Sequence, residues 1–240
     1  MTTKFEKQFS GGFSILAHYT WSKMTDAFFN TNGYSSSAWN GIGGQWHRNW
    51  AHGLSDANHT HRLVATVVYQ LPFGNTLKGA AKTLLAGWQV NAIAVFETGV
   101  PSTIFNGDTT SFDYMGDVPI RTCDGNMGSG TFFKYFDTSC FVNPAADPNT
   151  GVAVSRGNAG RNIITLPGIN NWDASIFKKF ILTESKQLEF RMETFNTFNH
   201  AQWDSVNTTD DTGTNPFSTF GRINGGRPGR HVQFALKFIF

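Results

Sequence analysis

Three things are scarce in this chain of 240 residues: charge, cysteine and long apolar runs. Charged residues make up 15%, well below the ~25% usual for a soluble domain. The formal charge of +2 forms no basic stripe, which argues against a nucleic-acid partner. The apolar runs are only a few residues long, such as Ile93 to Phe96, far short of the ~18 residues a membrane helix requires. Only two cysteines occur, Cys123 and Cys140, with no CxxC or His-paired spacing to hold a metal. They lie in a Gly/Asp/Asn/Thr-rich region. A disulfide there would contribute about 3 kcal/mol in an oxidising compartment; two unpaired thiols are the alternative. The first twelve residues lack the apolar stretch and cleavage site of a secretory leader. For an exported protein, this leads us to expect a piece of a longer precursor.

Aromatics are abundant. They reach 15%, with 23 Phe and 7 Trp, yet the mean hydropathy is only −0.27. That combination suits strands alternating greasy and polar positions. At the C-terminus Val232, Phe234, Leu236, Phe238 and Phe240 take every second place, separated by His231, Gln233, Ala235, Lys237 and the apolar Ile239. A period of two sends these sets to opposite faces of a strand. Five further segments repeat the pattern. They are Phe9 to Trp21, Arg62 to Leu71, Trp88 to Glu97, Trp172 to Phe180, and Gln187 to Asn199.

Charge decides which face is wet. Glu189, Arg191 and Glu193 share one side of the fifth strand, and burying them in hydrocarbon would cost several kcal/mol. They are therefore expected to face a lumen. Lys178 is the one clear charge on a greasy face, and near the strand end its long stem is expected to reach the interface. Aromatics such as Tyr19, Trp21, Trp88, Trp172 and Phe180 mark the ends of the greasy faces, while Ala65, Val67, Ala92 and Ala94 fill their middles. That layout matches interfacial girdles. The connections alternate long (25–58), short (72–87), long (99–170), short (183–186) and long (200–229). Outer-membrane barrels pair short periplasmic turns with long outer loops in this way. The expected fold is therefore all-β: about six strands of an antiparallel up-and-down transmembrane β-barrel with long outer loops.

Other chemistries are poorly supported. His47, His52, His59 and His61 show no HExxH spacing, and loop or strand-end roles suit them better. The Asp/Asn clusters at Asp108, Asp124 to Asn126 and Thr208 to Thr212 do not fit a calcium loop. Gly157 to Gly160 lacks the Lys-Ser/Thr of a phosphate loop. Glu189 and Glu193 need no catalytic role, so neither an enzyme nor a cofactor is expected. The competing reading is a secreted all-β carbohydrate-binding module, with Trp39, Trp46 and Trp50 stacking on sugars.

Several segments carry a more specific likeness. Asp56-Ala-Asn-His-Thr-His-Arg62 with Tyr69-Gln-Leu-Pro-Phe-Gly74 comes first. Gly87-Trp-Gln-Val-Asn91, Glu97-Thr-Gly-Val-Pro101 and Gly157-Asn-Ala-Gly-Arg-Asn162 follow. Asn171 to Lys178, Leu188 to His200, Phe220-Gly-Arg-Ile223 and the terminal strand complete the set. In that order they resemble the C-terminal barrel of TonB-dependent outer-membrane receptors of the Oar-like group, across nearly the whole chain. The resemblance implies a part of a barrel of about 22 strands, lacking its plug and N-terminal domains. It implies import of a scarce small ligand, through outer loops in which Trp39, Trp46 and Trp50 touch it. The implied partners are outer-membrane lipid, the barrel-assembly machinery reading Val232 to Phe240, and the TonB system acting through the absent N-terminal part.

Overall fold

A computed structural model describes residues 1–26, 52–107, 118–127 and 130–240. Its main element is an antiparallel sheet of seven strands whose spatial order follows the chain. They are β1 (Thr2–Ser10), β2 (Phe13–Trp21), β3 (His61–Gln70), β4 (Trp88–Glu97), β5 (Ile169–Ile181), β6 (Gln187–Phe195) and β7 (His231–Ile239). The sheet is open, with β1 and β7 at its edges.

One strand was not expected. Period two reads straight from Phe9 to Trp21, but Gly11 (φ 60°) and Gly12 (φ 79°) turn the chain back there. Positive φ at two successive residues is what a tight hairpin requires, and glycine supplies it without steric cost. A register shift between Lys7 and Ser10 adjusts the pairing, so Phe5 lies opposite Ala17 and Lys7 opposite Ile15. Odd-numbered residues thus stay on one face through the turn, which hid it from a parity argument. The sixth strand is also shorter than its pattern. It ends at Phe195, where Asn196 and Asn199 take φ of 50° and 53° and Asn196 Nδ2 donates to the His200 carbonyl.

Cross-strand partners share a face, so the register sorts every side chain. One face carries Ile15, Ala17 and Tyr19, then Leu63, Ala65 and Val67, and then Val90, Ala92 and Ala94. It continues through Ala174 and Ile176, Phe190 and Met192, to Phe234 and Leu236. Phe234 and Leu236 are each 67% exposed. The opposite face carries His18, Thr66, Asn91, Ser175, Glu189, Arg191, Glu193, Gln233 and Lys237. Val64, Ile93 and Val95 add an apolar patch to it.

The packed interior lies elsewhere. Ile104, Phe136, Cys140, Phe141, Ile164, Val206, Phe220 and Ile223 form one buried cluster, all from the long connections after β4 and β6. Phe136 meets Phe141 and Phe220 edge-on, at centroid separations of 5.9 and 5.3 Å. Short ladders tie the segments together, among them Ile164–Thr165 on Pro101–Ser102 and Trp203–Val206 on Ile223–Gly226. The long connections therefore form a cap with its own core rather than loose polar loops. Close backbone packing requires glycine there: a Cβ on Gly99 would stand 1.7 Å from the Leu166 carbonyl oxygen, and one on Gly157 1.9 Å from that of Val118.

At the other end the connections are the Gly11-Gly12 turn, residues 71–87 and residues 182–186. The middle one contains a short helix, α1 (Gly79–Leu85), which the sequence pattern did not suggest. It also corrects the expectation for Lys178. That side chain does not extend into open solvent at the strand end; it is 2% exposed. Its Nζ donates to the carbonyls of Leu84 (3.0 Å) and Ala86 (2.5 Å) at the C-terminal end of α1. The Trp88 and Phe180 rings enclose the ammonium group from 5.2 and 4.9 Å.

Adjacent residues of β7 test the face assignment. Phe234→Arg should destabilise the membrane-inserted chain by about 2–4 kcal/mol, whereas Gln233→Arg, opposite Glu193, should be tolerated. The folded fraction in outer-membrane preparations, read by heat-modifiable gel mobility, distinguishes them; equal losses would refute the assignment.

Candidate functional site

Two sets of polar groups stand out, one along the wet face and one where that face meets the cap. On the wet face Arg191 Nε donates to Glu189 Oε1 at 2.7 Å. Lys179 and Lys237 lie directly across from Glu189 on the two neighbouring strands. Glu189 is only 6% exposed, and its ion pair with Arg191 balances the carboxylate there. Glu193 accepts a hydrogen bond from Gln233 Nε2. Arg191 and Lys179 lie over the Phe177 ring at 5.5 and 5.6 Å. The sequence placed Glu189, Arg191 and Glu193 on one side, and the structure adds their partners.

Nearer the cap the same face opens into a hollow of about 520 Å³ whose lining includes Arg62, Glu97, Asp173, Gln202, Arg227 and His231. Arg62 Nε donates to Glu97 Oε2 at 2.9 Å, and His59 Nδ1 lies 2.9 Å from Glu97 Oε1. Asp173 Oδ1 accepts from Asn171 Nδ2 (2.9 Å) and the Asn196 amide (2.9 Å). Gln202 donates to Asn171 Oδ1 at 2.8 Å. Its own Oε1 is buried without a hydrogen-bond partner among the described residues. Mixed charge and an open buried acceptor suit a polar ligand better than an apolar one.

A second polar hub joins the cap to the connection between β2 and β3. The Arg161 side chain is 1% exposed and contacts two carboxylates. Its Nη1 donates to Asp26 Oδ1 and, at 3.2 Å, to the Asp26 carbonyl. Its Nη2 donates to Asp56 Oδ2 at 3.4 Å. Asn162 (φ 54°) uses Nδ2 on Asp56 Oδ1 (2.6 Å) and the Leu54 carbonyl (2.7 Å). Its Oδ1 accepts from Thr103 Oγ1 at 3.0 Å. Segments more than 100 positions apart in the chain are thus fastened by one Arg-Asn pair. The segments of Asp56 and Arg161 also carry the family likeness, but no local pattern signals that they touch.

Cys123 and Cys140 are joined by a disulfide with a Cα–Cα distance of 4.9 Å. It closes the base of the cap core, in which Cys140 is buried. Beside it Asp137 caps a short 3₁₀ turn by accepting from the Ser139 amide. Hydrogen bonds from Lys134 and then Ser139 hold its carboxyl at about 2. Trp39, Trp46, Trp50, His47 and Asp108 lie outside the described residues. His59 and His61 serve hydrogen bonds at the strand end: His59 Nδ1 is 2.9 Å from the Thr98 carbonyl, and His61 Nδ1 is 2.7 Å from the Tyr19 hydroxyl. Among the described residues no group of three His, Cys, Asp or Glu side chains could hold a metal ion.

A family model described as an outer membrane beta barrel domain matches residues 1–233. The chain belongs to this outer membrane beta barrel family. It is accordingly a protein of the outer membrane of a Gram-negative bacterium, and a barrel of that membrane turns its apolar face to lipid. No curated protein and no solved structure matches the chain. A barrel domain whose sheet has one apolar and one polar face has no need of the two-sheet core a secreted sugar-binding module requires, and that reading is not favoured.

Replacing Arg161 with Met strands two carboxylates and should loosen the cap by about 2 kcal/mol or more. Protease added to intact cells should then cut the long connections faster while the strands stay protected. Unchanged cleavage would show that Arg161 does not hold the cap.

Proposed function

We propose that the chain is the C-terminal part of a TonB-dependent receptor of the Oar-like group, importing a scarce small ligand across the outer membrane. The observation that carries this reading is the polar, charge-paired inner face ending in a hollow beneath a cross-linked outer cap. The motif segments that resemble the Oar-like group also meet at that boundary, in Arg62–Glu97 and in Arg161–Asp56. In this reading the cap and the hollow select ligand, and Arg62, Glu97 and Gln202 offer it donors and acceptors. The open edges of β1 and β7 pair with further strands of a barrel of about 22. Glu189, Arg191 and Glu193 face the plug, whose displacement is driven through TonB from the inner membrane. The chain performs no chemistry on the ligand. Which ligand it takes is set by loop side chains and not by the barrel fold.

The test uses cells carrying the intact receptor and a panel of labelled ferric siderophores, cobalamin and oligosaccharides. One class should accumulate, and collapsing the proton-motive force should abolish its uptake. Accumulation that survives the uncoupler would mean a passive pore instead.

The barrel-assembly machinery is the partner proposed for β7. Phe240 is 90% exposed at its end, available for recognition. Removing Phe240 should lower the amount of heat-modifiable receptor in the outer membrane severalfold. Normal yield would assign recognition elsewhere.

A further inference from the structure

The helix α1 has no evident reason to exist in water. It has seven residues and none of them is buried, whereas isolated helices shorter than ~12 residues are marginal in solution. Leu84 and Leu85 are 61% and 56% exposed, and Phe73 just before the helix is 65% exposed. Leu77, Ala81, Leu84 and Leu85 follow the spacing of one helical stripe, with Lys78 and Lys82 flanking it. No Asp or Glu occurs between residues 72 and 87.

What fixes this helix is the lipid face itself. Lys178 projects from that face of β5, opposite Trp88, and its Nζ holds the Leu84 and Ala86 carbonyls. A cation at a helix C-terminus satisfies orphan carbonyls and complements the dipole. Trp88, also on that face, donates Nε1 to the Leu84 carbonyl at 3.0 Å. Two lipid-face side chains thus tie the helix C-terminus to the outside of the sheet, at its short-turn end. The exposed leucines therefore continue the apolar surface that family membership assigns to hydrocarbon.

We infer that residues 72–87 form an interfacial anchor: α1 lies in the periplasmic phospholipid leaflet, with Phe73, Leu84 and Leu85 among the acyl chains and Lys78 and Lys82 at the phosphates. Amphipathic helices bind membranes by this combination of apolar burial and cationic attraction. The buried Lys178 is then a positioning residue. It carries a charge onto the lipid face because the helix it anchors shields that charge. The anchor rests on the outer-membrane reading of the sheet but not on TonB-dependent import.

The experiment places an environment-sensitive NBD label on single cysteines of the full-length receptor, labelled without reductant so that Cys123 and Cys140 stay bonded. Receptor carrying Leu84→Cys, Ile176→Cys or Glu184→Cys is reconstituted in phospholipid vesicles with or without doxyl-labelled lipid. The Ile176 label, mid-strand on the lipid face, should be quenched. The Glu184 label, in the tight turn, should not. Loss of most of the Leu84 signal to shallow doxyl groups, with blue-shifted emission, supports the anchor. Water-like emission at Leu84 beside a quenched Ile176 overturns it and leaves the barrel reading standing. Blue-shifted emission that lipid quenchers do not reach means a protein partner covers the helix, and also overturns it. An unquenched Ile176 label would instead remove the lipid face on which the anchor depends. Leu85→Cys repeats the measurement if Leu84→Cys does not assemble.

Discussion

In hydrocarbon no water is present to satisfy a peptide group, so each amide and carbonyl must find its partner in a neighbouring strand. That constraint explains the sheet before any side chain is considered. Strand follows strand in chain order, every neighbour antiparallel, because an unbroken meander leaves the fewest unpaired groups. With backbone bonding settled within the sheet, the two faces are free to meet different solvents. One is mainly aliphatic and aromatic; the other holds the carboxylates and most of the amides and cations. Lys178, a cation on the greasy side of β5, is admitted because carbonyls and rings surround it.

The cap answers a different problem. Water surrounds it, so it holds its shape as soluble domains do, by burying apolar side chains such as Ile104, Phe136, Phe141 and Phe220 around a disulfide. Between the two regimes lies a belt of charged groups. Arg161 and Asn162 clamp Asp26 and Asp56, while His59, Arg62 and Glu97 link the ends of β3 and β4. These contacts lie at and beyond the strand ends; ion pairs outside hydrocarbon carry less desolvation cost than they would within it. The hollow that opens onto this belt is thus framed by a hydrogen-bonded sheet below and a packed, disulfide-linked cap above. Such a frame can offer donors and acceptors in fixed places.

Much of the sheet was legible because a strand between two unlike media must alternate, and alternation survives in sequence. The faces of Leu63 to Tyr69, Trp88 to Phe96 and Val232 to Phe238 follow directly. The Gly11-Gly12 hairpin escaped because the register shift beside it keeps parity running through the turn. The asparagine turn at Asn196 to Asn199 was likewise hidden under a continuing apolar pattern. The cap core was not legible at all. Ile104, Phe136, Ile164, Val206 and Phe220 come from separate connections and follow no period, so only their packing reveals them. Glu189, Arg191 and Glu193 could be named as wet, but not the pairing that makes Glu189 tolerable in a nearly buried site.

Sequence alone determined which residues share the apolar face and which share the polar one, since that division is written locally, two residues at a time. Tertiary structure decided which distant segments touch: the Arg161 clamp on Asp56, the packed cap, and Lys178 reaching the carbonyls of α1. Those contacts depend on where strands end and how the connections fold back over them. No local pattern encodes a meeting between residues a hundred positions apart.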